Sequence, residues 1–374
     1  MKRKSDNIKN EDDYLRKQLI TYLGNKRSLL CIIEEEICSI MKKIRRKKVN
    51  IFDVFSGSGA VSRLFKKYAD NLYVNDLENY CTTLSKCYLT NKSSISIKKL
   101  NAYYKYLISN LTEDRLKSGF ITKLYSPEDD SNIKLGERVF YTHRNAMYID
   151  TARQLLNDVP EPYKTLFLGP LLFEASTKNN TCGVFKGFYK NSTTNLGQFG
   201  GNGRNAIKRI MAPIELKKPV LSNYDCKVHV LQGDSNIICK DVKKVDIAYL
   251  DPPYNQHPYS SNYFMLNLIN DYIEPKNISK VSGIPSNWNK SDYNKRSDAL
   301  ESLQLLCKNL DAKYIIVSYN SEGFISYNEM YNMLSTFGKV TSREINYYTY
   351  KASRNLRNRS IYVKEYLFVL KKEK

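Results

Sequence analysis

The sequence predicts an α/β protein: a mainly parallel, twisted sheet that is covered by helices, closed by a C-terminal antiparallel hairpin and interrupted by a long insertion. Three observations carry this prediction. Short apolar strands alternate with helical segments, a glycine turn joins the first strand to a helix, and a long polar segment separates early strands from late ones. With 374 residues, of which 42% are hydrophobic, the chain can bury a sizeable core, which excludes a wholly disordered protein.

The first elements along the chain form a strand–turn–helix–strand unit. Apolar residues at helical spacing predict a helix over 27–47, and a strand follows over 50–55. The glycine turn 56–59 then opens a second helix, and the next strand, over 72–75, ends at Asp76. Two strands joined through a helix run parallel, so this unit predicts a parallel sheet.

Strand character returns only in the second half of the chain. The later apolar, β-branched stretches lie at 228–231, 245–250, 314–317, 345–350 and 366–370. The last two predict the closing hairpin. The polar stretch over 101–225, which precedes all five of these strands, is rich in Asn, Lys and Tyr, which is typical of an inserted domain. We therefore predict a flexible tail over 1–17, a core split into 18–100 and 226–374, and an inserted domain over 101–225.

Charge narrows the class of partner. Lys and Arg number 59 against 38 for Asp and Glu, a formal net charge of +21, which favours nucleic acid and, second, an anionic membrane surface. No apolar run is long enough to span a bilayer, and the polar N-terminus does not resemble a signal peptide. We expect a cytoplasmic protein without a membrane partner. The eight cysteines and three histidines lack zinc-ligand spacing, so no metal is expected.

The glycine turn and the acid that follows it point to a nucleoside-containing cofactor. A backbone without Cβ atoms at the end of a strand can approach a ligand closely. Gly57 and Gly59 match a dinucleotide fingerprint incompletely, because Ser62 stands where the third glycine would be. Asp76 ends the next strand, where a carboxylate can accept hydrogen bonds from ribose hydroxyls. The alternative is a tight turn and a helix-capping Asp76.

The most specific motif is Asp251-Pro252-Pro253-Tyr254, which directly follows the apolar strand 245–250. Proline fixes φ and has no N–H, so the turn presents a carboxylate and carbonyl oxygens in a stiff arrangement. Such acceptors suit a substrate amino group, and Tyr254 offers a flat face for a planar base. The alternative is a proline loop with a surface Asp.

Three motifs in a fixed order resemble the Dam-like (alpha-group) DNA adenine-N6 methyltransferases, which use S-adenosylmethionine. They are Tyr22-Leu23-Gly24-Asn25-Lys26, Phe55-Ser56-Gly57-Ser58-Gly59 and, after the insertion, Asp251-Pro252-Pro253-Tyr254. The stretches Tyr259-Ser260-Ser261-Asn262-Tyr263 and Glu365-Tyr366-Leu367-Phe368 also look like this family. The resemblance spans about 21–372 and implies a Rossmann-like methyltransferase core with the insertion as a target-recognition domain.

The resemblance also implies roles for individual residues. Near the methionine end of the cofactor it places Tyr22 and Lys26, with the Lys26 ammonium pairing the cofactor carboxylate. The remaining cofactor-binding positions are Phe55, Gly57 and Gly59 in the loop, Asp76 at the ribose, Asp234 with Ser235 at the adenine amino group, and Asp251. The catalytic positions are Asp251, Pro252, Pro253 and Tyr254.

The chemistry of these residues agrees with methyl transfer to an amino group. A sulfonium methyl is already electrophilic, so the site has only to align the nitrogen with it. Asp251 and the Pro252 carbonyl can accept the two amino hydrogens and offset the charge that develops. Cytosine-C5 chemistry would need a nucleophilic cysteine, usually in Pro-Cys, and this chain has no Pro-Cys. The target adenine has to leave the duplex stack, and Tyr254 is expected to stack on it.

Two basic regions are expected to contact DNA. Arg204, Lys208 and Arg209 adjoin the glycine-rich stretch 197–203, a candidate for entering a groove, with a mobile surface loop as the alternative. Between the last two strands, Arg354, Arg357 and Arg359 predict phosphate contacts, with a solvated hairpin as the alternative. The cationic cluster 42–48 reads instead as a solvated helix end.

The leading hypothesis is a site-specific DNA adenine-N6 methyltransferase, either the modification enzyme of a restriction–modification system or a solitary methylase. Double-stranded DNA is the expected partner, a cognate restriction endonuclease acting on the same site is a further one, and the enzyme is expected to be a monomer. Two alternatives stay open: a DNA-binding protein that has lost catalysis, and an enzyme that methylates RNA or a protein amide through the same turn. A dehydrogenase is disfavoured because the third glycine is absent.

Overall fold

The computed structural model describes residues 13–201, 203, 206–348 and 362–373. By its internal contacts the chain divides into two compact units. The helical unit comprises Met1–Leu23, Lys86–Leu221 and Tyr259–Trp288, and the sheet unit comprises Gly24–Ser85, Ser222–Pro258 and Asn289–Lys374. The functional division at 101–225 stays a prediction.

The sheet unit contains one mixed sheet. Within the described residues its strands are β1 (Val49–Asp53), β2 (Ala69–Asp76), β3 (Lys227–Gln232), β4 (Val245–Leu250), β5 (Ala312–Asn320), β6 (Gly338–Tyr348) and β7 (Tyr362–Lys372). They follow the order β3-β2-β1-β4-β5-β7-β6. The first five are parallel, and β7 runs antiparallel to both β5 and β6. The predicted α/β fold with a mainly parallel sheet and a C-terminal antiparallel hairpin is confirmed.

Helices connect the strands and build the helical unit. In chain order they are α1 (Leu30–Lys43), α2 (Ala60–Phe65), α3 (Asn79–Tyr88), α4 (Ile97–Asn110), α5 (Phe120–Tyr125), α6 (His143–Leu155), α7 (Tyr163–Thr177), α8 (Ile207–Ile210), α9 (Ser235–Ile238), α10 (Tyr259–Asn262), α11 (Phe264–Asp271), α12 (Ala299–Asn309) and α13 (Tyr327–Ser335). Short 3₁₀ helices lie at Arg27–Leu29, Lys92–Ser94, Glu113–Arg115, Leu156–Asp158 and Asp292–Asn294. No helix among the described residues is long and apolar enough to cross a membrane.

The first predicted helix is shorter than its apolar pattern suggested. Helix α1 ends at Lys43, and Arg45 has a φ of 55°, which ends the helical conformation. Beyond it, the Arg46 guanidinium lies 3.0 Å from the carboxylate of buried Asp246, which Lys313 also contacts at 2.8 Å. At least this cation of the cluster 42–48 therefore neutralises a buried acid at the start of β4.

Every residue of β4 is buried, as expected of a central strand with helices on both faces of the sheet. The chain leaves β1 toward β2 and β3 on one side, whereas β4 and β5 lie on the other. The strand order therefore reverses between β1 and β4, the position at which open α/β sheets bind ligands.

The helical unit has its own aromatic core. The Phe140, Phe185 and Phe264 rings lie within 5.9–6.4 Å of one another, centroid to centroid. At its N-terminal end, Tyr14 is buried and donates a hydrogen bond to the Tyr88 carbonyl at 2.8 Å. Residues 1–12 of the predicted tail lie outside the described residues.

Candidate active site

Apart from Lys26, the predicted cofactor and catalytic residues of the sheet unit lie at or just after the carboxyl ends of four neighbouring parallel strands. Register pairs Asp53 with Val74 and with Tyr249, and Asp76 with Gln232, so β1, β2, β3 and β4 end at the same edge. Sequence spacing alone could not bring these strands together, since β3 and β4 come long after β2 in the chain. The sheet topology does so.

The glycine loop after β1 has the backbone that its sequence indicates. Gly57 and Gly59 have φ of 50° and 76°, conformations that favour glycine, and Gly59 caps the start of α2. The Gly57 N–H donates to Oδ2 of Asp76 at 2.7 Å, and the Ser56 N–H donates to the Asn75 carbonyl at 2.9 Å. The loop is thus held directly against the end of β2.

Asp76 is partly exposed and has both carboxylate oxygens oriented by backbone groups. Besides Gly57, the Glu78 N–H donates to Oδ1 at 3.0 Å. Burial raises the pKa of Asp76, and these two N–H groups oppose the shift. Asn75 reinforces the arrangement because its Nδ2 donates to the Val54 carbonyl at 3.2 Å and to the Gly233 carbonyl at 3.1 Å.

Asp234 lies in the loop after β3 and is exposed, with Oδ1 accepting the Asn236 N–H at 2.8 Å. Ser235 beside it is buried at the start of α9. Phe55, at the other side of the glycine loop, packs edge to face on Tyr293 with ring centroids 5.2 Å apart. The described geometry leaves the Asp234 carboxylate accessible to a hydrogen-bond donor.

The turn after β4 is anchored from two sides. The Phe324 N–H donates to the Tyr254 carbonyl at 3.0 Å, and Asn294 donates to the Asn255 carbonyl at 2.7 Å. Pro252 is buried, whereas the side chains of Asp251 and Tyr254 are partly exposed. The turn presents a partly exposed carboxylate and a partly exposed aromatic ring, and the roles expected of Asp251 and Tyr254 stay predictions.

Lys26 holds one oxygen of the Asp251 carboxylate. Its Nζ lies 2.8 Å from Oδ1 of Asp251, 3.1 Å from Oε1 of Glu365 and 3.0 Å from the Gly24 carbonyl. An ammonium has three N–H groups, so these contacts use all of them. The predicted pairing of Lys26 with a cofactor carboxylate stays a prediction, and it requires the release of one of the three.

Burial and the neighbouring charges shift the pKa values of Asp251 and Lys26. Burial raises the pKa of Asp251 to about 6, with Lys26 opposing the shift and Glu365 adding to it. Burial alone would lower the pKa of the Lys26 ammonium, but the two carboxylates together raise it well above its ordinary value. Lys26 is therefore charged at neutral pH, whereas Asp251 gains or loses its proton about one pH unit below neutral pH.

Sequence reasoning missed Asp53, the last residue of β1. It is fully buried, Ser62 donates to its Oδ2, and its Oδ1 has no hydrogen-bond partner among the described residues. Burial raises the pKa of Asp53 to about 7, Ser62 opposes the shift, and Asp251 and Asp76 add to it. A carboxylate that ends an apolar strand beside a glycine loop was the available signal. Glu365 lies in one of the family motifs, but sequence reasoning assigned it no role.

The donors and acceptors here fit the nucleoside part of S-adenosylmethionine. A Cβ added to Gly59 would have no other atom within 4 Å, so the loop leaves open space at that point. Ribose hydroxyls and an adenine amino group are donors, and Asp76 and Asp234 are acceptors at neighbouring strand ends.

Tyr22 belongs to the helical unit. Its ring stacks on Tyr259 and Tyr263, with centroids 4.8 and 4.9 Å apart and interplanar angles of 16° and 18°. The Leu23 N–H donates to the Tyr263 hydroxyl at 2.7 Å, and the Tyr259 hydroxyl donates to the Leu23 carbonyl at 3.1 Å. Tyr22 and Leu23, the part of the first motif that lies in the helical unit, are thereby fixed to residues 259–263.

The glycine-rich stretch of the insertion is packed, at least as far as Gly201. The Gly200 N–H donates to Oδ1 of Asn180 at 2.9 Å, and a Cβ on Gly197 would collide with the Val139 side chain. The exposed part is the turn just before it, 192–195, at the end of a hairpin closed by the Lys190–Gly197 bridge.

Of the residues predicted to contact DNA, some lie in the described part of the chain and others do not. Lys208 is exposed on α8. Arg209, which sequence reasoning grouped with it, donates to the backbone carbonyls of Thr177, the last residue of α7, and of Asn179 and Thr181 beyond it, and so has a structural role. The other predicted DNA contacts, Arg204, Arg354, Arg357 and Arg359, lie outside the described residues.

An α/β fold whose strand order reverses beside a glycine loop, with carboxylates at the adjoining strand ends and Asp-Pro-Pro-Tyr after β4, defines an amino-directed methyltransferase. Sequence comparison specifies the family. The family model described as D12 class N6 adenine-specific DNA methyltransferase matches residues 22–333, and the chain belongs to this family. It is a DNA adenine-N6 methyltransferase whose methyl donor is S-adenosylmethionine, and the resemblance to the Dam-like enzymes is confirmed.

Relatives named as methyltransferases match along most of the chain. Identity is 29% to the Type II methyltransferase M.NlaIII of Neisseria lactamica, covering 94% of this chain and 99% of that protein. Identity is 30% to the Type II methyltransferase M.CviAII of Paramecium bursaria Chlorella virus 1, covering 93% and 97%. The modification methylase StsI of Streptococcus sanguinis is 27% identical, and the match covers 94% of this chain but 52% of StsI.

Proposed function

We propose that this enzyme methylates one adenine within a defined sequence of double-stranded DNA and holds that adenine, flipped out of the duplex, at the turn Asp251–Tyr254. The observation that carries the proposal is the Asp251 carboxylate, which Lys26 holds by Oδ1 at the carboxyl edge of β4. A carboxylate fixed by one oxygen keeps the other for a substrate amino group. Tyr254 supplies the ring on which the flipped base stacks.

Methyl transfer to a neutral amino group leaves the nitrogen with a positive charge and a proton to lose. S-adenosylmethionine, when bound, supplies an electrophilic methyl group. Asp251 and the Pro252 carbonyl accept the two amino hydrogens, which leaves the nitrogen lone pair free, and Pro253 keeps the turn rigid. Because burial raises the pKa of Asp251 to about 6, this carboxylate is a stronger proton acceptor than a solvated one.

The cofactor roles proposed for the other strand ends follow their exposure and partners. Asp76 accepts from the ribose, and Asp234, next to Ser235, accepts from the adenine amino group. The loop residues Phe55, Gly57 and Gly59 shape the space between them, and Tyr22 and Lys26 serve the methionine end. Asp76 already orients the loop through the Gly57 N–H, so one carboxylate couples loop geometry to ribose binding.

We assign DNA sequence reading to the hairpin turn 192–195 of the inserted region. Oδ1 of Asn191 accepts the N–H groups of Thr193 and Thr194 at 2.9 and 3.0 Å, which fixes the turn before any contact with DNA. Its exposed hydroxyls and the Asn195 amide can both donate and accept, as base edges in the major groove require. Arg204, Lys208, Arg354, Arg357 and Arg359 are proposed to contact DNA from their sequence positions.

The biological setting is also a proposal. Relatives are named as type II methyltransferases and modification methylases, which supports a modification enzyme acting on the same site as a cognate restriction endonuclease. A solitary methylase is the other form. We propose a monomeric enzyme that works in the cytoplasm, where its DNA substrate is.

The decisive experiment is long-read sequencing of duplex DNA methylated by the purified protein, with Asp251→Ala as the inactive comparison. The expected result is N6-methyladenine in one sequence context and none with the variant. Asp241→Ala, an exposed acid in the loop between α9 and β4, serves as the matched control and should methylate normally. Adenine methylation without a sequence context, or methylation of RNA alone, would contradict the proposal.

A further inference from the structure

Glu365 is a buried acid in β7, beyond the residues that the family model matches. Its Oε1 accepts from Ser318 at 2.9 Å and lies 3.1 Å from Lys26 Nζ, while its Oε2 accepts from Asn320 at 3.2 Å. Both partners on β5 are neutral donors. The carboxylate is therefore fixed by the sheet, and Lys26 is the cation that it contacts.

The same Lys26 ammonium connects Glu365 to Asp251. Because all three Lys26 N–H groups are used by Asp251, Glu365 and Gly24, the position of Nζ is set by three acceptors at once. Removing one acceptor would leave Nζ free to move relative to the other two. A buried ammonium that moves would carry the Asp251 carboxylate with it, since charge-assisted hydrogen bonds are strong.

We propose that Glu365 is a positioning residue for methyl transfer: it holds the Lys26 ammonium against Oδ1 of Asp251, so that Oδ2 remains for the target amino group. This inference rests on the role of Asp251 proposed above. Glu365 touches neither substrate nor cofactor in this assignment, and acts through Lys26 alone.

The charge of Glu365 affects the pKa of Asp251, so the role of Glu365 can be tested by a pH profile as well as by the stability of the fold. The titratable groups that face Asp251 from the surrounding elements are Lys26, Asp53, Tyr249, Tyr254 and Glu365. Among these, Glu365 adds to the raised pKa of Asp251 because like charges repel, and Lys26 opposes it. With a neutral glutamine at 365, Lys26 should stay paired with Asp251 while the repulsion from Glu365 is lost. The pKa of Asp251 should therefore fall.

The test compares Glu365→Gln with the wild type and with Glu344→Gln, an exposed acid on β6 that pairs with Lys364 at 2.8 Å. Single-turnover methyl transfer is measured from pH 5 to 9 with saturating DNA and cofactor, and the cofactor Kd is measured by calorimetry. For Glu365→Gln we expect an acid limb displaced by at least ~0.5 pH unit to lower pH and a plateau rate at least ~10-fold lower. The Kd should stay within about threefold of wild type, a split that a general loss of folding would not produce.

A double-mutant cycle with Lys26→Gln tests the route of action. If Glu365 acts through Lys26, the double variant should be no slower than Lys26→Gln alone, whereas independent roles give additive losses. Glu365→Asp, which keeps the charge but shortens the side chain, should lower the plateau and leave the acid limb unmoved. It serves as the cycle partner if the glutamine variant does not fold.

The outcomes separate the two levels of the argument. A wild-type enzyme that does not methylate adenine N6 would overturn the proposed function and this inference with it. A wild type that does, together with Glu365→Gln behaving like Glu344→Gln or with additive losses in the cycle, would overturn the role of Glu365 alone.

Discussion

The charge state of Asp251 should control the rate of methyl transfer. The ionised carboxylate is a stronger acceptor for the target amino group than the protonated acid, and only the ionised form offsets the charge that develops on the nitrogen. Burial raises the pKa of Asp251 to about 6, with Lys26 holding it below the value that burial alone would give. The sign follows directly: the rate is full above this pKa and is lost as the pH falls through it.

The size of the effect can be worked out from that pKa. The ionised fraction of a group with a pKa of about 6 is nearly complete at pH 8, about half at pH 6 and roughly a tenth at pH 5. The single-turnover rate should therefore fall about tenfold between pH 8 and pH 5. Asp251→Asn removes the charge at every pH, so its rate should be ~10²–10³-fold lower at pH 8 and lack the acid limb.

The assay follows the transfer of labelled methyl groups into duplex DNA at saturating cofactor, with melting temperatures recorded at each pH. Asp53 titrates in the same window, with a pKa of about 7, so Asp53→Asn is the control and should keep the acid limb. A wild-type rate that is flat from pH 5 to 8, or an Asp251→Asn enzyme within about tenfold of wild type, would refute the reasoning. If Asp53→Asn abolished the acid limb, the pH dependence of the rate would be due to Asp53 and not to Asp251.

Three further predictions follow from the strand ends and the hairpin. Asp76→Ala should weaken cofactor binding at least ~10-fold by calorimetry, because it removes the ribose acceptor and the partner of the Gly57 N–H; an unchanged Kd would contradict the ribose role. In the folded wild type the Asp53 carboxyl group keeps its proton up to about pH 7, so the free energy of unfolding should fall between about pH 5 and 7 by up to ~1.4 kcal/mol per pH unit. Asp53→Asn should remove this pH dependence of stability. Urea unfolding at about pH 5.5 and 7.5 measures this, and equal slopes would count against a buried Asp53. Thr193→Ala or Asn195→Ala should relax sequence preference by ~1–3 kcal/mol per contacted base while leaving binding to unrelated DNA unchanged, and unaltered cognate affinity in competition titrations would remove the hairpin from recognition.

Several residues of the candidate active site could be proposed from the sequence because their signals are local. A glycine turn after a strand, an acid at the end of the next strand and Asp-Pro-Pro-Tyr after β4 each report a backbone conformation that neighbouring residues impose. The family resemblance assigned Gly57, Asp76 and Asp251 to one site, and the sheet topology places β1, β2 and β4 side by side with their carboxyl ends at one edge. The mainly parallel sheet followed from the alternation of strands and helices, and the antiparallel hairpin followed from the two successive strand stretches at the end of the sequence.

Recognition of DNA was harder to locate, because local composition does not say which residues project. The glycines at 197–201 suggested a segment that enters a groove or a mobile loop, but a Cβ on Gly197 would collide with Val139, and the Gly200 N–H donates to Asn180. The exposed turn lies just before them and carries no glycine. Cations were equally ambiguous: Arg209 binds backbone carbonyls, and Arg46 neutralises Asp246.

The sequence by itself determined the fold class and the family, and it indicated the candidate site residues at the strand ends except Asp53, since each of these depends on short-range pattern and on motif order. Only the tertiary structure decided how the charges are paired. Lys26, Asp251 and Glu365 come from distant parts of the chain and meet because β7 inserts between β5 and β6 and carries Glu365 to Lys26. The energy of a buried charge depends on the few ångströms around it, and those neighbours are supplied by the packing of strands rather than by the order of residues.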